Sequence, residues 1–122
     1  MAELPLALVV DDTDIHRSLI KMTLGAKGYR VLAATDGQEG LALCKQQTFS
    51  LVFSDFEMPN MNGAEFLRAV KRLPTYKDVP VVILSTLEGN DVKERVMALG
   101  AFHYIVKPFN QAKLDELFKR LA

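Results

Sequence analysis

Apolar residues in this chain fall into two alternating patterns. Five short, mostly apolar runs stand out: Leu6–Val10, Tyr29–Ala33, Leu51–Ser54, Val79–Leu84 and Phe102–Val106. Runs of this length bounded by turn signals suit strands covered on both faces. Pro80 lies near the start of its run, where a strand tolerates proline. Between and after the runs, apolar residues recur at helical spacing. Ile15, Leu19 and Ile20 mark a first helix, with Gly25 and Gly28 as stops. Asp36 and Glu39 have capping-box spacing and open a second helix that runs to about Gln46. Asn62 and Glu65 repeat that spacing ahead of Phe66, Leu67 and Val70, and Pro74 ends the third helix. Asn90 or Asp91 caps a fourth helix bearing Val92, Val96 and Leu99, which Gly100 terminates. Asn110 caps a fifth, with Phe109 and Leu114 placed as a hydrophobic staple and Leu114, Leu117, Phe118 and Leu121 as its apolar stripe.

Five strand–helix units in alternation predict an α/β fold, with a parallel sheet, right-handed crossovers and helices on both faces. All strand C-termini then lie on one edge, where open α/β sheets usually place their chemistry. That edge collects Asp11, Asp12, Asp55, Ser85 and Lys107. Each has an ordinary structural alternative. Asp12 or Thr13 could cap a helix, Ser85 could serve a turn, and Lys107 could be a solvated charge. Their convergence is what calls for a functional account.

Composition narrows the classes. The 122 residues fit one domain and one core, and 49% hydrophobic content is too high for a disordered chain. Fifteen basic and 15 acidic residues cancel, which argues against a nucleic-acid-coating surface. Cys44 is the only cysteine, so internal disulfides and multi-cysteine metal sites are excluded, and its helical neighbours Leu41 and Leu43 predict a buried, inert thiol. No run approaches the ~20 apolar residues of a membrane span. The N-terminus lacks the pattern of a signal peptide, so a cytoplasmic location is expected by default. His16 and His103 have no second histidine at ligand spacing, and surface roles are expected for both.

Three clustered carboxylates repel one another, by about 4 kcal/mol per pair at ~4 Å and an effective dielectric of ~20. They need cations. Lys107 supplies one charge, and a hard divalent ion with oxygen ligands, Mg²⁺ in particular, suits the rest. Asp55 stands alone at mid-sheet, with the other polar groups around it. With a metal in place, one of its oxygens could attack a phosphoryl group, whose equatorial oxygens the metal, Lys107 and Ser85 could stabilise.

The motifs Val9-Val-Asp-Asp12, Asp55-Phe-Glu-Met-Pro59, Leu84-Ser85 and Tyr104-Ile-Val-Lys-Pro-Phe109, in that order, resemble those of the receiver domain of bacterial two-component response regulators, especially single-domain chemotaxis regulators. The resemblance runs from about Leu6 to Leu121. It implies a flavodoxin-like (βα)5 three-layer sandwich with strand order 2-1-3-4-5, and one receiver domain over residues 1–122. It implies that Asp55 accepts a phosphoryl group from a sensor histidine kinase or a histidine phosphotransfer protein. Mg²⁺, or Mn²⁺ in its place, would be held by Asp12 directly, Asp11 mainly through water, Asp55 and the Glu57 backbone carbonyl. Lys107 would pair with Asp55 or its phosphoryl group, Ser85 would move to bond that group, and Tyr104 would swing inward behind it. The Lys107–Pro108 bond is expected to be cis.

The implied output is altered protein binding through the fourth helix, fifth strand and fifth helix, with Lys93, Met97, Tyr104 and Lys119 as candidates for a downstream target that the sequence does not name. A monomer or weak dimer is expected, with no direct nucleic-acid contact and no membrane insertion. Thr86 stands where the family usually has Ala or Gly and should narrow the approach to Asp55. Glu57 and Leu87 flank the expected path of the hydrolytic water and are candidates for tuning phosphate lifetime. Because the chain stops soon after its last helix, it is expected to signal alone or to be a receiver fragment of a larger regulator or hybrid kinase. The competing reading is a Mg²⁺-dependent phosphohydrolase with an aspartate nucleophile and Glu57 as its acid. A nucleotide- or flavin-binding module is disfavoured, because neither G-x-G-x-x-G nor a P-loop follows a strand.

Overall fold

The computed structural model describes residues 4–121. The N-terminal residues 1–3, on which part of the signal-peptide reading rests, lie outside them. The order is β1 (Leu6–Val10), α1 (Asp14–Ala26), β2 (Arg30–Ala34), α2 (Gly37–Gln46), β3 (Leu51–Asp55), α3 (Gly63–Lys71), a 3₁₀ turn (Pro74–Tyr76), β4 (Val81–Ser85), α4 (Asp91–Ala98), β5 (His103–Val106) and α5 (Gln111–Leu121). All neighbouring strands pair in parallel, in the order β2-β1-β3-β4-β5.

The core is split in two by the sheet. Strand residues alternate between faces. Leu8, Val10, Val52, Val81 and Ile83 therefore pack with Cys44, Phe66, Leu67, Val70 and Val96 from α2, α3 and α4. Ala7, Val9, Phe53, Val82, Leu84 and Ile105 face Ile20 and Leu24 of α1 and Leu114 and Leu117 of α5. β3 and β4 are buried at every position. The continuous apolar runs thus have one apolar layer on each side.

Local chemistry sets the boundaries. Asn62 and Glu65 form a complete capping box at α3: the Asn62 side chain accepts from Glu65 N at 2.9 Å and Glu65 Oε1 accepts from Asn62 N at 3.1 Å. The same spacing at α2 gives only half a box. Asp36 accepts from Glu39 N, but the Glu39 carboxylate turns to the Thr35 hydroxyl and N–H. Asn110 Oδ1 caps Lys113 N at 3.0 Å. Asn90 occupies the position before α4 without a side-chain cap. Gly100 has φ +106°, a left-handed conformation open to glycine, just beyond α4. α3 ends three residues before Pro74, which instead opens the 3₁₀ turn.

Ile15 departs from the expected inward face of α1. It is 77% exposed, and Ile20 and Leu24 carry the contact instead. Among the described residues no helix is long and apolar enough to cross a membrane.

Candidate functional site

Register brings the polar groups level. Val10 pairs with Ser54 and Ser85 with Val106, so the next residues, Asp11, Asp55 and Lys107, leave the sheet side by side. Backbone bonds hold these ends: Asp11 N donates to Ala34 O at 3.1 Å, Phe56 N to Leu84 O and Lys107 N to Ser85 O, both at 2.7 Å. Asp11 and Asp55 are 1% and 3% exposed, and Lys107 is buried with them. Asp12 is exposed at the rim. The Lys107–Pro108 bond is cis.

Lys107 Nζ donates to Asp55 Oδ1 at 2.8 Å and lies 3.6 Å from Asp11 Oδ2. One Asp11 oxygen accepts from Thr13 N at 2.8 Å. The other, Oδ2, is buried without a hydrogen-bond partner. Burial pushes the Asp55 carboxyl up to about 6 against the opposing pull of Lys107, and the charges of Asp11 and Glu57 push it the same way. One ammonium thus serves two buried acids incompletely.

Asp11, Asp12 and Asp55 each offer an oxygen within 4.8 Å of the others. An all-oxygen donor set, a buried orphan oxygen and an exposed rim fit a hard divalent cation such as Mg²⁺. The start of α3 packs against the backbone at the end of β3. Gly63 N donates to Phe56 O at 2.8 Å, and a Cβ at Gly63 would lie 2.7 Å from Asp55 O and from Phe56 Cα.

Ser85 lies at the expected strand end, and its hydroxyl is engaged by Glu57. Its hydroxyl donates to Glu57 Oε1 at 2.9 Å. The same oxygen accepts from Thr86 N at 2.9 Å and Thr86 Oγ1 at 2.6 Å. Partial burial raises the Glu57 carboxyl, but the bonds from Thr86 and Ser85 outweigh it and hold the group below the usual glutamate range. Leu87 N donates to Ser85 Oγ at 3.0 Å, and Leu87 is 44% exposed.

Tyr104 is already inside. It is 7% exposed, and its hydroxyl donates to Leu87 O at 2.7 Å. An inward Tyr104 therefore does not require Ser85 to have turned towards Asp55. Of the other output candidates, Lys93, Met97 and Lys119 are exposed.

His16 is partly exposed, as expected of a surface residue, but one edge of its ring turns inward. Its ring lies 5.9 Å from that of Phe109, and its Nδ1 is buried without a hydrogen-bond partner, 4.0 Å from Asp11 Oδ2. The available sign was position: His16 lies in the first turn of α1, a short step in sequence after Asp11.

The family model described as the response regulator receiver domain matches residues 7–119, and the chain belongs to that family. It is a phosphorylation-based signalling domain, whose chemistry is gain and loss of phosphate on its own acid. The probable chemotaxis protein CheY of Rhizobium etli is 35% identical over 115 residues, covering 93% of this chain and 89% of that protein. The structure of the chemotaxis response regulator CheY4 of Vibrio cholerae superposes with a TM-score of 0.90 at 36% identity, covering 98% of this chain and all of that one. The receiver domain of a sensor histidine kinase from Pseudomonas aeruginosa PAO1, solved with a magnesium ion in its active site cleft, has a TM-score of 0.82 at 25% identity, covering 97% of each chain.

Proposed function

We propose that Asp55 is the phosphoacceptor of a phosphorylation-operated, protein-binding switch. The observation that carries this is the buried Lys107–Asp55 contact at 2.8 Å beside the unpartnered Asp11 Oδ2. An Asp55 oxygen attacks the phosphorus of a phosphohistidine on a sensor histidine kinase or phosphotransfer protein. The P–N bond breaks, and an acyl phosphate forms. Bound Mg²⁺, or Mn²⁺, supplies positive charge to the phosphoryl oxygens. Asp11, Asp12, Asp55 and the Glu57 backbone carbonyl are its proposed ligands. Lys107 exchanges its carboxylate contact for a phosphoryl oxygen, and Ser85 turns from Glu57 to a second.

That turn pulls on the segment whose Leu87 carbonyl holds Tyr104, which changes the exposed face made by α4, β5 and α5. Lys93, Met97 and Lys119 on that face are the proposed contacts for the downstream protein. Thr86 and Leu87 tune access to the acyl phosphate. The proposed setting is cytoplasmic, with the chain as a monomer or weak dimer. Residues 1–122 form one receiver unit, working alone or as part of a longer regulator or hybrid kinase.

A phosphohydrolase reading is less well supported, because the Glu57 carboxylate that would act as its acid is engaged by Ser85 and Thr86. The test is incubation with Mg²⁺ and acetyl phosphate, followed by intact mass. The parent gains one phosphoryl group and Asp55→Asn does not. Equal modification of Asp55→Asn would refute the assignment, and sustained release from many phosphate monoesters would favour the hydrolase.

A further inference from the structure

Glu57 Oε1 receives three hydrogen bonds, from Ser85 Oγ, Thr86 N and Thr86 Oγ1, at 2.9, 2.9 and 2.6 Å. The donors come from the end of β4 and the loop after it, 28 and 29 residues from Glu57 in sequence. Three donors converging on one oxygen make a small anion cradle, and a side-chain carboxylate fills it. Ser85 and Thr86 each have one hydroxyl proton, and Thr86 has one N–H. A proton given to Glu57 is not given to a phosphoryl oxygen on the neighbouring strand.

We propose that Glu57 is a positioning residue that holds Ser85 and Thr86 away from Asp55, so that an incoming phosphoryl group must displace a resident carboxylate from their donors. This rests on Asp55 being the phosphoacceptor. The chain continues from the cradle to the interior. Leu87 N bonds the same Ser85 hydroxyl, and Leu87 O bonds Tyr104. Release of Glu57 therefore frees the segment that carries the Tyr104 contact. The displaced carboxylate also remains near the phosphoryl group as a like charge. Glu57 thus acts against the modified state twice, by competition for donors and by repulsion.

Competition and repulsion are separable. Thr86→Val removes one donor to Glu57 and leaves the Glu57 charge in place. Glu57→Ala removes both effects. Beryllofluoride, the phosphoryl mimic, is titrated by calorimetry with excess Mg²⁺ into the parent, Glu57→Ala, Thr86→Val and the double variant. Glu57→Ala is expected to bind about tenfold more tightly, corresponding to ~1.4 kcal/mol for competition and repulsion lost together. Thr86→Val is expected to gain about threefold, the order of one ordinary net hydrogen bond at a partly exposed site. The double variant binds no more tightly than Glu57→Ala. Unchanged affinity in Glu57→Ala overturns the proposal. So does a Thr86→Val gain that persists undiminished without Glu57, because the Thr86 hydroxyl would then act independently of that carboxylate.

Failure of the phosphoacceptor reading shows differently, as beryllofluoride binding that Asp55→Asn does not abolish. The hold on Ser85 and Thr86 is then judged in the free protein. The Thr86 amide proton, hydrogen-bonded to a carboxylate, resonates downfield and must move upfield in Glu57→Ala. A resonance that stays in place overturns the proposal.

Discussion

Replacing Lys107 with Met tests the electrostatic account of the site directly. The change keeps the apolar stem and removes a buried ammonium 2.8 Å from Asp55 and 3.6 Å from Asp11. At an effective dielectric of ~20, the shorter contact alone corresponds to about 6 kcal/mol of Coulomb attraction. Protonation of the stranded acid limits the loss, so the expected destabilisation near neutral pH without divalent metal is about 3–5 kcal/mol, the range for breaking a buried pair. The pH dependence carries the sign. Asp55 in the parent is already raised to about 6, so the folded state holds its proton more tightly than the unfolded chain. Stability from that group is present at low pH and is lost as pH rises from the ordinary carboxylate value through about 6. Without Lys107 the folded value moves higher still, and the window of loss extends upward. The deficit of Lys107→Met is therefore largest near neutral pH and shrinks towards pH ~4. Excess Mg²⁺, which binds only the folded chain, should recover part of it. Urea unfolding at several pH values, with chelator and with Mg²⁺, measures all of this. A variant within ~1 kcal/mol of the parent at every pH would refute the idea that Lys107 holds the acid cluster together.

Thr86→Ala should both accept phosphate from small donors and lose it faster, by several-fold, in stopped-flow and mass measurements; equal rates would dismiss Thr86 as a barrier. Cys44 is buried, and burial pushes its thiol up to about 11, so alkylation near neutral pH should proceed only as the chain unfolds. The Tyr76 hydroxyl accepts from Phe49 N at 3.1 Å and donates to Gln47 O at 2.7 Å in the core. Tyr76→Phe leaves both groups unpaired and should cost about 1–3 kcal/mol by urea unfolding, with phosphorylation unchanged.

The fold was legible because its strands are short apolar runs and its helices are periodic. The misreadings have specific physical causes. Ile15 matched the helical period but lies exposed in the first turn of α1. Val79 and Pro80 are apolar and precede β4, yet the strand begins at Val81; Pro80 contributes its carbonyl to Val52 N and has no N–H of its own. Glu39 has the right spacing for a box, but its carboxylate is taken by the Thr35 hydroxyl and N–H. The acids and Lys107 were legible as a group because parallel pairing sends all strand ends to one edge. The Glu57 contacts were not, because they require two loops 28 residues apart to converge. Nothing in local spacing encodes that meeting. The inward Tyr104 is similar: its partner is a backbone carbonyl, which no side-chain pattern announces.

Gly63 carries a consequence for anyone who would rebuild this chain. Its missing side chain is the clearance between α3 and the carbonyl of Asp55, with a Cβ due 2.7 Å from that oxygen. Backbone, unlike a flexible side chain, has little room to give way. The exposed positions of α3, Arg68 among them, can accept new residues, labels or grafted epitopes without reaching the acid. Position 63 cannot, since even a methyl group there would meet the backbone of Asp55 and Phe56. A library that varies the outer face of α3 while fixing Gly63 would explore new partners. One that varies Gly63 would mostly sample chains whose acid has moved.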